Sequence, residues 1–450
     1  MIAEANLFPS AGRAINVRAM RLGLALVVAC AVSSIACGSP ARAEGRPPGV
    51  PTADAVYPEL NALYIDLHQH PELSLHEERT AEKLAAALRQ HGYEVTTGVG
   101  KTGVVGVLKN GPGPTVLFRT ELDALPVAEK TGLPYASTVP EVMHACGHDV
   151  HMSAWVGTAA LLAQNKQRWQ GTLVFVGQPA EEIVAGAKAM IADGLFTRFP
   201  KPDFVVAVHD TSDAPAGTVS WVPGYAMANV DSIDLTIYGK GGHGARPEAT
   251  IDPIVIAARM VLALQTIVSR EKDPSEPAVL SVGSIHGGTK HNIIPDEVKL
   301  QMTLRTYKPE VRAQMRAAIE RVAKAEAAAA GAPREPSVAF GQGQDATYND
   351  PALTKRLGAA VARALGPANV TEGRPEMVSE DFGELGKAAH APSVLLRVGA
   401  VDPARFAAAK ASGERLPVLH SSTFAPDRER TIRTAVTALT ASALDLLGKR

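Results

Sequence analysis

The chain has 450 residues, beyond the size at which one hydrophobic core usually divides, so two domains are expected. Its composition, 46% hydrophobic and 20% charged, is that of an ordinary globular protein. A formal net charge of −1, with no basic tract interleaved with aromatics, gives no field that would draw nucleic acid or an anionic membrane, and nucleic-acid binding is set aside.

Arg13, Arg18 and Arg21 precede an apolar run over 22–32, and Ala41-Arg42-Ala43 follows as an A-x-A cleavage site. Residues 1–43 therefore read as a secretory signal peptide, and translation from Met20 would give a tidier charged region. An uncleaved anchor helix competes with this reading, but the run is too short for a comfortable span. Lipoprotein processing at Cys30 or Cys37 is a lesser alternative, because neither follows a convincing sequence. The mature chain is expected to be periplasmic or secreted, with no membrane attachment. Only Cys146 then remains, so no internal disulfide can form. A lone exported thiol is open to oxidation, and ligation by a metal would protect it.

Beyond a Pro/Gly-rich stretch at 45–51, apolar residues at helical spacing predict helices over 57–66 and 77–91, separated at Pro71. Strands are expected over 103–109 and 115–119, joined by Gly111-Pro-Gly-Pro. A helix over 152–164 and strands over 172–177 and 204–208 continue a βα pattern, which implies a mostly parallel sheet covered by helices. Asp123, Glu181, Glu182 and His209 fall just past strand ends, the edge at which open α/β sheets bind ligands. From about Asn229 the texture changes. Strands over 230–239, 279–285, 298–306 and 337–341 alternate with helices over 252–270 and 309–330 in the ferredoxin-like order β-α-β-β-α-β. The βα texture returns with a helix over 352–365, a strand over 393–398 and a closing helix. The expected fold class is α/β, with a catalytic domain made of 52–228 and 343–450 and an inserted α+β domain, 229–342.

The densest chemistry lies in His144-Ala-Cys146-Gly147-His148-Asp149-Val-His151. Histidine, cysteine and carboxylates bind borderline metals such as zinc, manganese, cobalt or nickel. Gly147 suits a tight turn that aims Cys146 and His148 at one point, and the helix after it favours thiolate and carboxylate groups at its N-terminus. Cys146, His148, a carboxylate from Glu181-Glu182, His209 and His420 exceed the needs of one tetrahedral site, so two metals sharing ligands fit better. Neighbouring side chains on an extended chain point opposite ways, so one Glu would ligate while the other serves as general base. Asp123 would orient a ligating His through its other ring nitrogen. Each element alone has a bland reading: Glu-Glu as a solvated helix start, His209 as a core-edge residue, Gly241-Gly242-His243 as a turn, Asn292 and Arg305 as strand-end caps. Only their joint placement favours a metallohydrolase.

The stretches His68-Gln-His-Pro-Glu-Leu-Ser, Arg119-Thr-Glu-Leu-Asp-Ala-Leu-Pro, His144-Ala-Cys-Gly-His-Asp-Val-His, Gln178-Pro-Ala-Glu-Glu, Gly239-Lys-Gly-Gly-His-Gly-Ala-Arg-Pro, Asn292-Ile-Ile-Pro-Asp and Ser379-Glu-Asp-Phe resemble the amidohydrolase branch of the aminoacylase/carboxypeptidase metallopeptidases. The resemblance runs in family order from about residue 57 to the C-terminus. It implies two divalent metal ions held by Cys146, His148, Glu182, His209 and His420, with Glu181 as general base. It implies that the inserted domain is a lid that dimerises, that its His243 reaches the partner's active site, and that Asn292 and Arg305 bind the substrate carboxylate. The chain departs from the family twice. Glu121 stands where Asp is usual, and Asp210 follows His209 where a small apolar residue is usual.

These readings imply a homodimeric amidohydrolase that cleaves N-acyl-amino acids, hippurate-like or related, with metal-activated water. A dipeptidase or carboxypeptidase on the same scaffold, a non-catalytic exported metal carrier, and an enzyme with Cys146 as nucleophile are the alternatives.

Overall fold

The computed structural model describes residues 49–341 and 343–449, and the expected signal segment 1–43 lies outside the described residues. In chain order the helices are α1 (Tyr57–Gln69), α2 (Glu78–Gln90), α3 (His148–Gln164), α4 (Gly186–Ala192), α5 (Leu195–Arg198), α6 (Pro253–Thr266), α7 (Pro309–Ala329), α8 (Pro351–Leu365), α9 (Phe382–Ala389), α10 (Pro403–Ser412) and α11 (Arg428–Leu447). The strands are β1 (Glu94–Val99), β2 (Gly103–Asn110), β3 (Thr115–Glu121), β4 (Gly171–Gln178), β5 (Phe204–Pro215), β6 (Val219–Trp221), β7 (Gly224–Met227), β8 (Asp231–Tyr238), β9 (Gly242–His243), β10 (Ala278–His286), β11 (Ile293–Ile294), β12 (Glu297–Thr306), β13 (Ser337–Phe340), β14 (Thr347–Asn349), β15 (Val370–Glu372) and β16 (Ser393–Val401).

Eight strands form one sheet in the order β1-β2-β4-β3-β5-β16-β6-β15. The central neighbours β4, β3, β5 and β16 run parallel. The pairs β1–β2, β2–β4 and β16–β6 run antiparallel, so the expected mostly parallel sheet is in fact mixed. A tight turn through Gly100 and Lys101, both at positive φ, joins β1 to β2 and forces them into opposite directions. β1 escapes the sequence reading because it is a largely exposed edge strand without an apolar run.

The central strands are buried on both faces, which their near-continuous apolar runs require. Alternate side chains feed two cores. Val116 and Phe118 of β3, with Leu173 and Phe175 of β4, face α1, α2, α3, α8 and α11. Leu117, Val174 and Val176 face α4, α5 and α9. Trp155 of α3 packs edge-on to Phe175 and donates its indole N–H to the Phe118 carbonyl at 3.0 Å, which locks α3 under the sheet. Truncating an aromatic so placed costs about 3–5 kcal/mol.

Residues 231–340 contribute a second, fully antiparallel sheet in the order β10-β12-β8-β13. Its strands alternate: Ile233, Leu235 and Ile237 of β8 point inward with Val298, Leu300, Met302 and Leu304 of β12. Helices α6 and α7 cover that face through Ile256, Met260 and Leu264, and through Met315 and Ile319. The chain order here is strand, helix, strand, strand, helix, strand. β9 and β11 form a separate two-stranded ribbon beside it.

Candidate metal centre

The parallel strands β3, β4 and β5 deliver their chemistry to one edge of the sheet. Asp123 follows β3 and Glu181-Glu182 follow β4. His209 was expected just past a strand, but it lies inside β5. The reason is β16, which pairs with β5 from Val205 to Pro215 and sets Arg397 beside His209. Gly147 adopts φ 77°, a left-handed conformation that glycine tolerates, and α3 begins at His148. Cys146 and His148 are thereby turned into the same space.

The Sγ of Cys146 lies 3.6 Å from Nε2 of His209 and 3.2 Å from Nε2 of His420. The amide of His420 donates to the Ala145 carbonyl at 2.8 Å, which pins the distant C-terminal loop to the Cys146 turn. Nε2 of His420 is 3.6 Å from Oε1 of Glu182. Nε2 of His148 is 3.9 Å from both Oε2 of Glu181 and Oε1 of Glu182. The five expected ligands and the expected base thus meet in one cluster, drawn from residues 146 to 420.

The donor set suits cations. Nδ1 of His148 lies 2.8 Å from the Asp123 carbonyl, and Nδ1 of His209 lies 2.8 Å from the Asp210 carbonyl. A carbonyl only accepts, so each Nδ1 carries the proton and each Nε2 presents a lone pair to the cluster. Nε2 of His148 and Oε1 of Glu182 are buried and make no hydrogen bond. Such orphaned acceptors are costly unless something electropositive satisfies them. Burial, then Glu182 and Glu181, push the Cys146 thiol well above its ordinary value, and burial with Glu380, Glu182 and Asp381 does the same to Glu181. Without a cation the thiol stays protonated, which argues against Cys146 as a free nucleophile.

The sequence profile of peptidase family M20/M25/M40 matches residues 117–417. The chain belongs to that family. N-acetyl-L-cysteine deacetylase of Bacillus subtilis is 38% identical over 325 residues, which cover 72% of this chain and 76% of the relative. Thermostable carboxypeptidase 1 of Saccharolobus solfataricus is 38% identical over 321 residues, 70% of this chain and 80% of the relative. A crystal structure from Bacillus subtilis, described as a dinuclear metal binding peptidase of the M20 family, aligns with a TM-score of 0.72 at 29% identity, over 87% of this chain and 98% of its own. The expected enzyme class, a hydrolase of the amidohydrolase and peptidase type, follows from this membership.

Within this M20 hydrolase two details differ from the sequence reading. Asp123 orients His148 through its backbone carbonyl, while its carboxylate stands 3.8 Å from that nitrogen. The carboxylate instead accepts the amides of Glu181 at 3.1 Å and Glu182 at 2.9 Å, and the Ser74 hydroxyl at 2.7 Å. It therefore sets the conformation of the Glu pair. That pair occupies a turn between Ala180 (φ 49°) and Val184 (φ 57°), not an extended strand, so both carboxylates face His148. The opposed side chains expected of extended chain do not occur.

Arg305 lines the same cavity of about 910 Å³ as Cys146, Glu181 and His420. His243 and Asn292 do not line it. They are exposed neighbours on the β9–β11 ribbon, where the Gly244 amide donates to the Asn292 carbonyl at 2.9 Å.

Other M20-site residues received no role from the sequence. Buried Arg119 donates to Gln178 at 3.0 Å, Glu380 at 2.7 Å and Asp381 at 2.9 Å, and also pairs with Glu121. Burial pushes Asp381 up to about 7 despite the Arg119 charge. This cluster ties β3 to the start of α9, directly behind Glu181. Its signal was present as Ser379-Glu-Asp-Phe, but nothing in the spacing linked that motif to Arg119.

Proposed function

We propose that this protein hydrolyses the amide bond of N-acyl-amino acids at a centre of two divalent metal ions held by Cys146, His148, Glu182, His209 and His420. The observation that carries the substrate assignment is Arg305. Its guanidinium is part-buried in the cavity wall and, among the described residues, donates to the Met377 carbonyl at 3.2 Å and the Ser379 hydroxyl at 3.4 Å. No carboxylate among the described residues pairs with it, and burial alone lowers its pKa. A cation so placed suits the free carboxylate of an amino acid. The Bacillus subtilis relative named as an N-acetyl-L-cysteine deacetylase supports the same substrate class.

Metal ions held there would lower the pKa of a bound water toward neutrality and polarise a carbonyl oxygen. The chain supplies the rest. Arg305 anchors the carboxylate and holds the amide over the cluster. Glu181, backed by Asp381 and Glu380, takes the proton of the attacking water and returns it to the leaving nitrogen. Asp123 holds Glu181 and Glu182 in register. We propose further that 229–342 is a lid and dimerisation domain on a catalytic domain of 52–228 and 343–450. In the dimer, His243 and Asn292 enter the cavity of the partner. Export to the periplasm or beyond, after removal of 1–43, completes the reading.

The test is Glu181→Gln in metal-loaded protein, assayed on N-acetyl- and N-benzoyl-amino acids. We expect kcat to fall by about 10²–10⁴ with bound metal unchanged. Near-normal turnover would remove Glu181 from its role. A second reading, carboxypeptidase or dipeptidase action, is favoured by the Saccharolobus solfataricus relative of that name. Faster cleavage of dipeptides than of acyl-amino acids would select it.

A further inference from the structure

We propose that Glu121, His151 and Asp210 act as one positioning unit, which fixes the His209 imidazole and the Cys146-Gly147-His148 turn at the metal centre. The proposal rests on the two-metal reading above.

All three side chains are buried, and none of them lines the substrate cavity. His151 stands one turn into α3 from His148. Its Nδ1 is 3.0 Å from Oε2 of Glu121, and its Nε2 is 3.3 Å from Oδ1 of Asp210. The ring is therefore held at both ends. The His151 and His209 rings meet edge-on, 4.6 Å between centroids and inclined at 61°, so the placement of one limits where the other can turn.

Burial opposes charge on His151, but Glu121 and Asp210 outweigh it and draw the ring up to about 10. The backbone amide of Asp210, however, points at Nε2 from 2.8 Å and needs a lone pair there. Asp210 thus offers Nε2 a donor in its amide and an acceptor in its carboxylate, so a ring without a proton there takes the amide and a ring with one gives it to the carboxylate. In either form Asp210 holds Nε2, and Nδ1 donates to Glu121.

Asp210 reaches the other half of the centre. A Cβ at residue 147 would lie 2.4 Å from its Oδ2, so the carboxylate fills the space beneath the turn that presents Cys146 and His148. The opposite end is equally fixed, because Arg119 holds Glu121 and is itself held by Glu380 and Asp381. Glu121 and Asp210 stand at opposite ends of the His151 ring. They are the two ends of one contact through His151.

The test is a double-mutant cycle of Glu121→Gln and Asp210→Asn, read as Zn²⁺ affinity by competition with a chromophoric chelator. The thermal midpoint of each metal-free protein is measured alongside. Each single variant should bind Zn²⁺ about 10–100-fold more weakly, a loss larger than any drop in its metal-free midpoint accounts for, as is typical when a partner behind a ligand is lost. The double variant should be little worse than either single one, because cutting one end idles the other. His151→Gln cuts the middle and should match them, which keeps the test alive if one carboxamide does not fold. Losses that simply multiply, or affinities equal to wild type, would overturn the unit while leaving the function intact. A wild-type protein that binds no Zn²⁺, Mn²⁺, Co²⁺ or Ni²⁺ would overturn both.

Discussion

Arg305 is the residue on which substrate choice turns. It enters the cavity from β12, and no acidic side chain among the described residues pairs with it. A charge-assisted contact of this kind contributes about 1.5–3 kcal/mol, or roughly 10–150-fold in binding. Arg305→Ala should therefore raise KM for N-acyl-amino acids by that factor with kcat changed far less, because the contact is made in ground and transition states alike. Arg305→Lys should recover part of the loss, since it restores charge without the planar fork. An unchanged KM in steady-state assays would place the substrate carboxylate elsewhere. At this scale the candidate ligands were legible because thiol, imidazole and carboxylate suit metal chemistry by type. Glu121, His151 and Asp210 had no such legibility. Their role exists only once β3, α3 and β5 are side by side.

At the scale of elements, the centre depends on how firmly α3 is clamped. His68 of α1 meets Oδ2 of Asp149 at 2.6 Å and Oε1 of Glu129 at 3.3 Å. Asp149 lies in the first turn of α3, so this contact ties α1 to the helix start that carries His148. Burial works against charge on His68, but Asp149 and Glu129 prevail and raise it from 6.5 to about 9. A group raised on folding stabilises the protein fully below its unfolded value. The contribution is lost as pH climbs through the folded value. Urea unfolding of wild type and His68→Gln should therefore differ most at pH 6, and the gap should close between about 7 and 10. A gap independent of pH would mean that the clamp works by packing alone. Periodicity located α2 and α7 within a residue of their ends, but it ended α1 three residues early and began α3 at 152, where the helix in fact starts at His148, because His148-Asp-Val-His reads as polar loop. It failed for β5, because β16 prolongs that strand through residues too polar to read as one. It failed also for the Glu181-Glu182 turn, since left-handed Ala180 and Val184 leave no mark in the sequence.

The whole molecule is incomplete as one chain if His243 and Asn292 take part in the reaction, because both stand exposed on the β9–β11 ribbon outside the cavity. The surface near them is unfinished in a second way. β10 is an edge strand of the smaller sheet. The outer side of α6 exposes Ile254, Val255 and, at 73%, Leu262. Flat edges and exposed apolar faces are surfaces that proteins normally cover. The helix and its continuation to Glu271 are long and apolar enough to cross a membrane by length and composition. Its other side, however, is committed to the core of the smaller sheet through Ile256, Met260 and Leu264, so only one face is left to cover. In the proposed dimer a second copy would cover it and bring the two exposed residues to its cavity. Sedimentation should then give a dimer for wild type and a monomer for Val255→Glu with Leu262→Glu. The decisive measurement is complementation. His243→Ala and Glu181→Gln proteins should each be inactive. Mixed after gentle dissociation, they should recover roughly a quarter of wild-type turnover, since half of the dimers are hybrids and each hybrid holds one complete site. Recovery absent from verified hybrids would confine catalysis to a single chain. A wild-type monomer that binds anionic vesicles through α6 would assign that face to a membrane.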